Sequence, residues 1–265
     1  MYVRSRDAEI FYDVAGSGPP VILLHPFPAN HEFWTPVAEA LSTRYRLIMP
    51  DLRAHAESSL GEGIATMEKH ADDIARVCDE AGVGRAVFAG ISIGGYVLFE
   101  FWRRHRERVS ALVLANTKAA ADTQEARAAR LQSAREVLEQ GPDRFIEGMI
   151  PKVLGETTRT NRPDVVDRAR RMMMSTSAEG ISRAQQGMAE RPDSAPTLAL
   201  INVPTLIIAG DEDVATPIAD AEAMHRSIRG SQLRVVGKAG HFAAFERPEE
   251  AAALLREFLG QLPPR

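Results

Sequence analysis

The feature that most constrains this chain is the stretch Ala86-Val-Phe-Ala-Gly-Ile-Ser-Ile-Gly-Gly-Tyr96, where an apolar run meets a glycine-flanked serine and turns into a helix. Ala86–Ala89 reads as a buried strand, and Tyr96, Val97, Phe99 and Trp102 continue as a helix. Between them, Gly90-Ile91-Ser92-Ile93-Gly94 matches G-x-S-x-G. In that pattern the serine occupies a strained strand-to-helix turn that leaves its hydroxyl exposed above a sheet. The glycines are a steric condition. Without a Cβ at Gly90 and Gly94, strand and helix can close around a backbone that side chains would block.

The alternation of strand and helix recurs along the chain. Residues 2–15 alternate loosely up to Gly16-Ser-Gly-Pro-Pro20, which predicts two antiparallel strands closed by a turn. Val21–Leu24 is a continuous apolar run ending in His25-Pro-Phe-Pro-Ala-Asn-His31, a candidate active-site wall because ligands in such sheets bind at strand carboxyl ends. Phe33, Val37 and Leu41 mark a helix, Arg46–Met49 a strand, and Met67–Ala81 a helix stopped by Gly82. Val109–Ala115, Val203–Ala209 and Gln232–Val236 are further strands, with a helix carrying Ala221, Met224 and Ile228 between the last two and a closing helix from Pro248 to Gln261. The expected fold class is α/β, a mostly parallel eight-stranded sheet with helices on both faces.

From Thr117 to Pro204 the alternation stops, although a strand-to-strand crossover needs only a dozen or so residues. Four short helices are predicted there. The first opens at a capping box of Asp122 and Glu125 and ends at Gly141-Pro142, the second runs to Pro151, the third begins at Pro163, and the fourth spans Ala178 to Glu190. The expected organisation is therefore a core of residues 1–116 and 205–265 with a helical cap inserted at 117–204.

Composition removes several functional classes. Lys+Arg of 32 against Asp+Glu of 36 leaves a formal charge of -4, which gives nucleic acid or an anionic membrane no electrostatic claim on the chain. The densest basic run, Arg103–Arg108, falls where a helix should end, a position that favours cations, and reads as a solvated helix end. The one cysteine, Cys78, lies in a helical apolar pattern and reads as a packed thiol. No leader-like N-terminus and no apolar run of roughly 18 residues is present, so the default expectation is a reducing, cytoplasmic setting. No G-x-x-x-x-G-K, G-x-G-x-x-G or metal-ligand spacing occurs, and neither a metal nor a cofactor is expected.

Three strand ends present Ser92, an acid from Asp211 or Asp213, and His241, in the order serine, acid, histidine. A serine hydroxyl is a weak nucleophile until an imidazole takes its proton, and the imidazole needs a carboxylate to fix its tautomer. With these residues the chain resembles the α/β-hydrolase superfamily from about residue 2 to its end. His25-Pro-Phe-Pro28 is similar to that family's oxyanion loop, Gly-Asp-Glu-Asp213 to its acid turn and Ala-Gly-His241 to its histidine loop. The resemblance implies Asp213 as the acid, with Asp211 a turn residue, and an oxyanion hole formed by the backbone N–H groups of Phe27 and Ile93. Pro26 and the alanines of Asp51-Leu-Arg-Ala-His-Ala-Glu-Ser58 stand where the family usually has glycine.

The expected function is a cofactor-free serine hydrolase acting on a small, largely apolar carboxylic ester through an acyl-serine intermediate. Enol-lactone hydrolysis and perhydrolase chemistry are the alternatives within the resemblance, and a hydrolase-fold ligand sensor with little turnover is the rival of another class. His31, Trp34, Met149, Met173 and Phe242 are candidate substrate-binding residues, although packing explains Trp34, Tyr96 and the methionines Met172–Met174 and Met188 equally well. His25 and His55 are expected to orient loops. Arg127, Arg130 and Glu136 read as a solvated face of the cap.

Overall fold

The computed structural model describes residues 1–263. Its strands are β1 (Tyr2–Ser5), β2 (Ala8–Ala15), β3 (Pro20–Leu24), β4 (Arg46–Pro50), β5 (Ala86–Ile91), β6 (Val109–Ala115), β7 (Thr205–Gly210) and β8 (Gln232–Val236). They form one eight-stranded sheet in the order β1-β2-β4-β3-β5-β6-β7-β8. The β1–β2 and β2–β4 pairings are antiparallel and all others parallel. The hairpin turn falls at Arg6-Asp7, and Gly16–Pro19 leads instead into β3. β3, β5, β6 and β7 are built largely from Val, Ile, Leu, Phe, Ala and Gly and are buried almost throughout, as strands covered on both faces must be.

Helices α1 (Thr35–Leu41), α2 (Met67–Glu80) and α3 (Ile93–His105) follow β3, β4 and β5. α2 opens on Thr66, whose hydroxyl accepts the Lys69 N–H at 3.3 Å, and ends before Gly82 at a φ of 67°. The inserted segment holds α4 (Gln124–Gln140), α5 (Pro142–Val153), α6 (Glu156–Asn161), α7 (Pro163–Met173), α8 (Ala178–Ala189) and α9 (Ala195–Leu198), two more helices than the breakers in the sequence suggest. α6 and α9 are a turn or two of helix and leave no periodic signature. α10 (Ile218–Ser227), α11 (Ala243–Glu246) and α12 (Pro248–Gln261) complete the core, with α12 against α1 and α2 against α3.

Three local readings change. Thr123, not Asp122, caps α4, its hydroxyl accepting the Ala126 N–H at 3.2 Å. Asp122 is freed for a buried cluster, at 2.6 Å from Arg130 and 2.7 Å from Arg191, and Arg130 is thereby tied inward rather than solvated. Pro151 lies inside α5, in its last turn, where it removes the N–H that would bond the Glu147 carbonyl, yet the helix runs on to Val153. The basic run at the end of α3 is solvated as expected, with Arg103, Arg104 and Arg106 exposed, while some of its side chains also bond the fold. Arg103 donates to Ser194 and Thr197, Arg104 to Asp72, and Arg108 to Asp79 and the Val83 carbonyl.

Candidate active site

The site is assembled where β3, β5, β6, β7 and β8 end. Ser92 joins β5 to α3 with φ 54° and ψ -114°, a conformation that L-residues avoid. The glycines show why the turn can be so tight. A Cβ on Gly90 would lie 2.5 Å from the Gly94 carbonyl carbon, and one on Gly94 would lie 2.7 Å from the Leu24 carbonyl oxygen. Neighbouring backbone holds the strain: the Ser92 N–H is shared by the Ala115 and Asn116 carbonyls at 3.2 and 3.1 Å, and the Thr117 hydroxyl donates to the Ser92 carbonyl at 2.8 Å. Ser92 is only 9% exposed. Ile93 opens α3, so its N–H has no acceptor within the helix.

Asp213 sits in the turn after β7 and His241 in the loop after β8. His241 Nδ1 lies 2.9 Å from Asp213 Oδ2. The same oxygen accepts the Thr216 hydroxyl at 2.6 Å and Asn116 Nδ2 at 2.9 Å, while Oδ1 accepts the N–H groups of Ala215 and Thr216 at 2.8 and 2.9 Å. Burial by itself pushes this carboxyl up, but the facing His241 and the hydroxyl and amide donors outweigh it and hold it at about 2. An ionised Asp213 is an acceptor only, so it favours the tautomer with hydrogen on Nδ1 and leaves Nε2 free to take a proton. Asp211 ties the turn after β7 to the loop after β8, accepting the Ala239 N–H at 3.2 Å, rather than bonding its own backbone.

Asn116 is the residue sequence reasoning missed. Its carbonyl accepts the Ser92 N–H, and its side chain donates to Asp213 and, at 3.2 Å, to the Gly240 carbonyl beside His241. One left-handed residue, at φ 42°, thus ties all three strand ends together. Its position as the first residue after β6 was the only available signal. Among the described residues Ser92 Oγ forms no hydrogen bond to His241 Nε2; such contacts are commonly loose before substrate binds.

The loop after β3 is shaped by His25. Its Nδ1 meets the Pro26 carbonyl at 2.9 Å and its Nε2 accepts the Leu52 N–H at 2.9 Å, an arrangement open only to a neutral ring. Complete burial pushes its pKa down to about 3. His55 donates from Nδ1 to the Arg53 carbonyl at 3.0 Å, and the Phe27 ring meets His55 edge-on at 5.8 Å. The expected glycine positions Ala54 and Ala56 have φ of 65° and 40°, left-handed values that alanine adopts at a cost. The Phe27 N–H donates to no acceptor among the described residues. Thr176 donates to the Pro28 carbonyl at 3.0 Å and Asn30 to Ser175 at 3.1 Å, so the inserted segment grips this loop.

The candidate pocket residues separate. His31 is held at 2.8 Å by Asp51, which follows β4 two strands from β5, and packs on Phe11 of β2 at 4.8 Å. Trp34 is buried against Phe33. Phe242 is fully buried beside His241, with its ring 6.3 Å from and near-parallel to that imidazole and edge-on to Phe33 at 5.2 Å. Met173 is fully buried. Met149 lines a cavity of about 230 Å³ between α4 and α5 with Val137, Phe145 and Lys152; Phe145 in turn meets the Phe27 ring at 5.8 Å. Cys78 is buried and burial pushes its thiol up to about 12, so it stays neutral. No helix among the described residues is long and apolar enough to cross a membrane.

This architecture has close counterparts. A thermophilic esterase from Thermogutta terrifontis superimposes with a TM-score of 0.94 at 40% identity, over 96% of this chain and 94% of that one. The enol-lactonase of Burkholderia xenovorans superimposes with a TM-score of 0.91 at 25% identity, over 98% and 100%. A 3-oxoadipate enol-lactonase of Acinetobacter baylyi is 26% identical over 92% of this chain and 89% of its own. The sequence model of the alpha/beta hydrolase fold matches residues 19–248, most of the chain, and with the sheet order and the elbow at Ser92 this places the protein in the α/β-hydrolase family.

Proposed function

We propose that the protein is a serine hydrolase of small, largely apolar carboxylic esters. Ser92 is the nucleophile, His241 Nε2 takes its proton and later returns it to the leaving alcohol, and Asp213 holds the imidazole and stabilises its cationic form. The N–H groups of Phe27 and Ile93 receive the oxyanion; both lie at the mouth of the sheet without an acceptor of their own among the described residues. Water then attacks the acyl-serine with His241 again as base. Residues 117–204 form the cap over this centre. The carrying observation is the fivefold-bonded Asp213 paired to His241 and joined to the strained Ser92 through Asn116.

A second reading is hydrolysis of a lactone bearing a carboxylate, as the enol-lactonase relatives suggest. Arg191 favours it: buried, it stacks 4.2 Å above the Tyr96 ring, one helical turn beyond Ser92, and shares Asp122 with Arg130, so two cations face one anion. A panel of nitrophenyl esters of increasing acyl length, with a neutral and a carboxylate-bearing lactone beside it, separates the two. Fastest turnover of short and medium esters, abolished in Ser92→Ala, is expected. Equal turnover by Ser92→Ala ends the serine mechanism, and preference for the acidic lactone replaces the first substrate class with the second.

A further inference from the structure

Two carboxylates outside the Asp213–His241 pair reach from the core to a single turn of the inserted segment. Glu246, 1% exposed at the end of α11, accepts the Gly240 N–H on Oε1 at 2.8 Å and the Gly155 N–H on Oε2 at 2.9 Å. Glu212 accepts the Thr157 N–H at 2.8 Å and also the Thr157 hydroxyl. The turn between α5 and α6 is therefore held by acids tied to both loops of the catalytic pair, since Glu212 directly precedes Asp213 and Gly240 directly precedes His241. Contact is backbone to backbone. The Phe242 N–H donates to the Val153 carbonyl at 2.8 Å, and a Cβ on Gly155 would lie 2.5 Å from the Glu212 carboxylate and 2.8 Å from the Gly240 nitrogen.

Burying a carboxylate is costly unless its oxygens are satisfied, and burial does push Glu246 up. Each of its oxygens is spent on one backbone N–H, one on either side of the seam between cap and core. The core side leads at once to the chemistry: the Gly240 carbonyl accepts Asn116, and Asn116 donates to Asp213. Resting on the serine-hydrolase reading above, we propose that Glu246, assisted by Glu212, is a positioning residue that sets His241 against Asp213 through the seated α5–α6 turn. Seating of the cap and competence of the His–Asp pair are then one event.

Glu246→Gln keeps size and one good acceptor but turns an amide N–H₂ toward the other donor; Glu246→Ala removes both acceptors. Per folded molecule, with folding checked by circular dichroism and gel filtration, Glu246→Ala should lower kcat for a nitrophenyl ester about 10²-fold and Glu246→Gln about tenfold, with KM changed less than about threefold. The deciding readout is a cycle with Asp213→Asn. If Glu246 acts through the pair, Glu246→Gln in that background should cost less than about twofold. A full tenfold loss in both backgrounds, or wild-type kcat in Glu246→Gln while Ser92→Ala is inactive, overturns the positioning role alone. Undiminished turnover in Ser92→Ala overturns the hydrolase reading and this role with it.

Discussion

The carboxyl edge of one sheet carries two histidine–aspartate pairs of nearly equal geometry: His241–Asp213 at 2.9 Å and His31–Asp51 at 2.8 Å. Both aspartates are buried and both are held below the ordinary carboxylate range, Asp51 because the His31 hydrogen bond outweighs the upward push of burial. The surroundings differ. Asp213 is ringed by donors from three strand ends, and Asn116 carries that network to a strained serine. Asp51 accepts the backbone N–H groups of His31 and Glu57 at 2.7 and 3.1 Å, so it laces the loop after β3 to the loop after β4. A hydrogen-bonded imidazole and carboxylate are thus equally suited to a brace and to proton transfer. What separates the two pairs is what their aspartates connect to: Asn116 links Asp213 to the turn that carries Ser92, whereas Asp51 joins the loops after β3 and β4.

The largest test of this contrast is kinetic. His241→Ala should lower kcat/KM for the preferred ester by about 10⁴-fold or more, whereas His31→Ala should stay within about threefold. Comparable losses in both would make His31 part of the chemistry. The aspartates should divide the same way: Asp213→Asn costs about 10⁴-fold in kcat, while Asp51→Asn mainly lowers the urea midpoint, by about 1–3 kcal/mol of stability, because buried N–H groups lose a charged acceptor.

Titration sharpens the comparison further. Asp213 is held at about 2 against an ordinary 3.8, so its stabilisation is present above the ordinary value and is lost as pH falls from about 4 toward 2, about 2 kcal/mol in all. Asp51 behaves alike in sign. His31 is different: burial pushes it down, but the Asp51 bond and charge prevail and raise it, so its contribution is complete below 6.5 and is lost as pH rises through its folded value. Urea midpoints measured from pH 2 to 9 should show Asp213→Asn flattening the acid limb and Asp51→Asn flattening both limbs.

The central strands were legible because each is a short apolar run whose burial on both faces is written locally, and β6, the half-exposed β8 and α12 fall where the pattern places them. Ser92, Asp213 and His241 were legible because strand ends and chain order bring them to one edge. Contacts between loops were not. Nothing in the residues around His31 says that Asp51 holds it, nor does Phe242 announce that it packs beside His241. Asn116 and Glu246 were invisible for the same reason, since each is defined by partners 97 and 91 residues away. Within the insertion, helix ends chosen by tertiary partners displaced those suggested by local breakers, as when Asp122 leaves the cap of α4 to meet two arginines.

The dihedral angles of Ser92 have a consequence for inheritance as well as for chemistry. A φ of 54° with ψ -114° is territory that glycine enters freely, so the fold alone would be better served there by a residue without a side chain. Strain of this kind costs about 1–3 kcal/mol, against about 0.5–1 kcal/mol for the extra freedom of an unfolded glycine. Ser92→Gly should therefore melt above Ser92→Ala, and on the proposed mechanism both should be inert. On the proposed mechanism, selection for stability and selection for turnover pull this one codon in opposite directions, and lineages released from the second should drift toward a sturdier, silent protein.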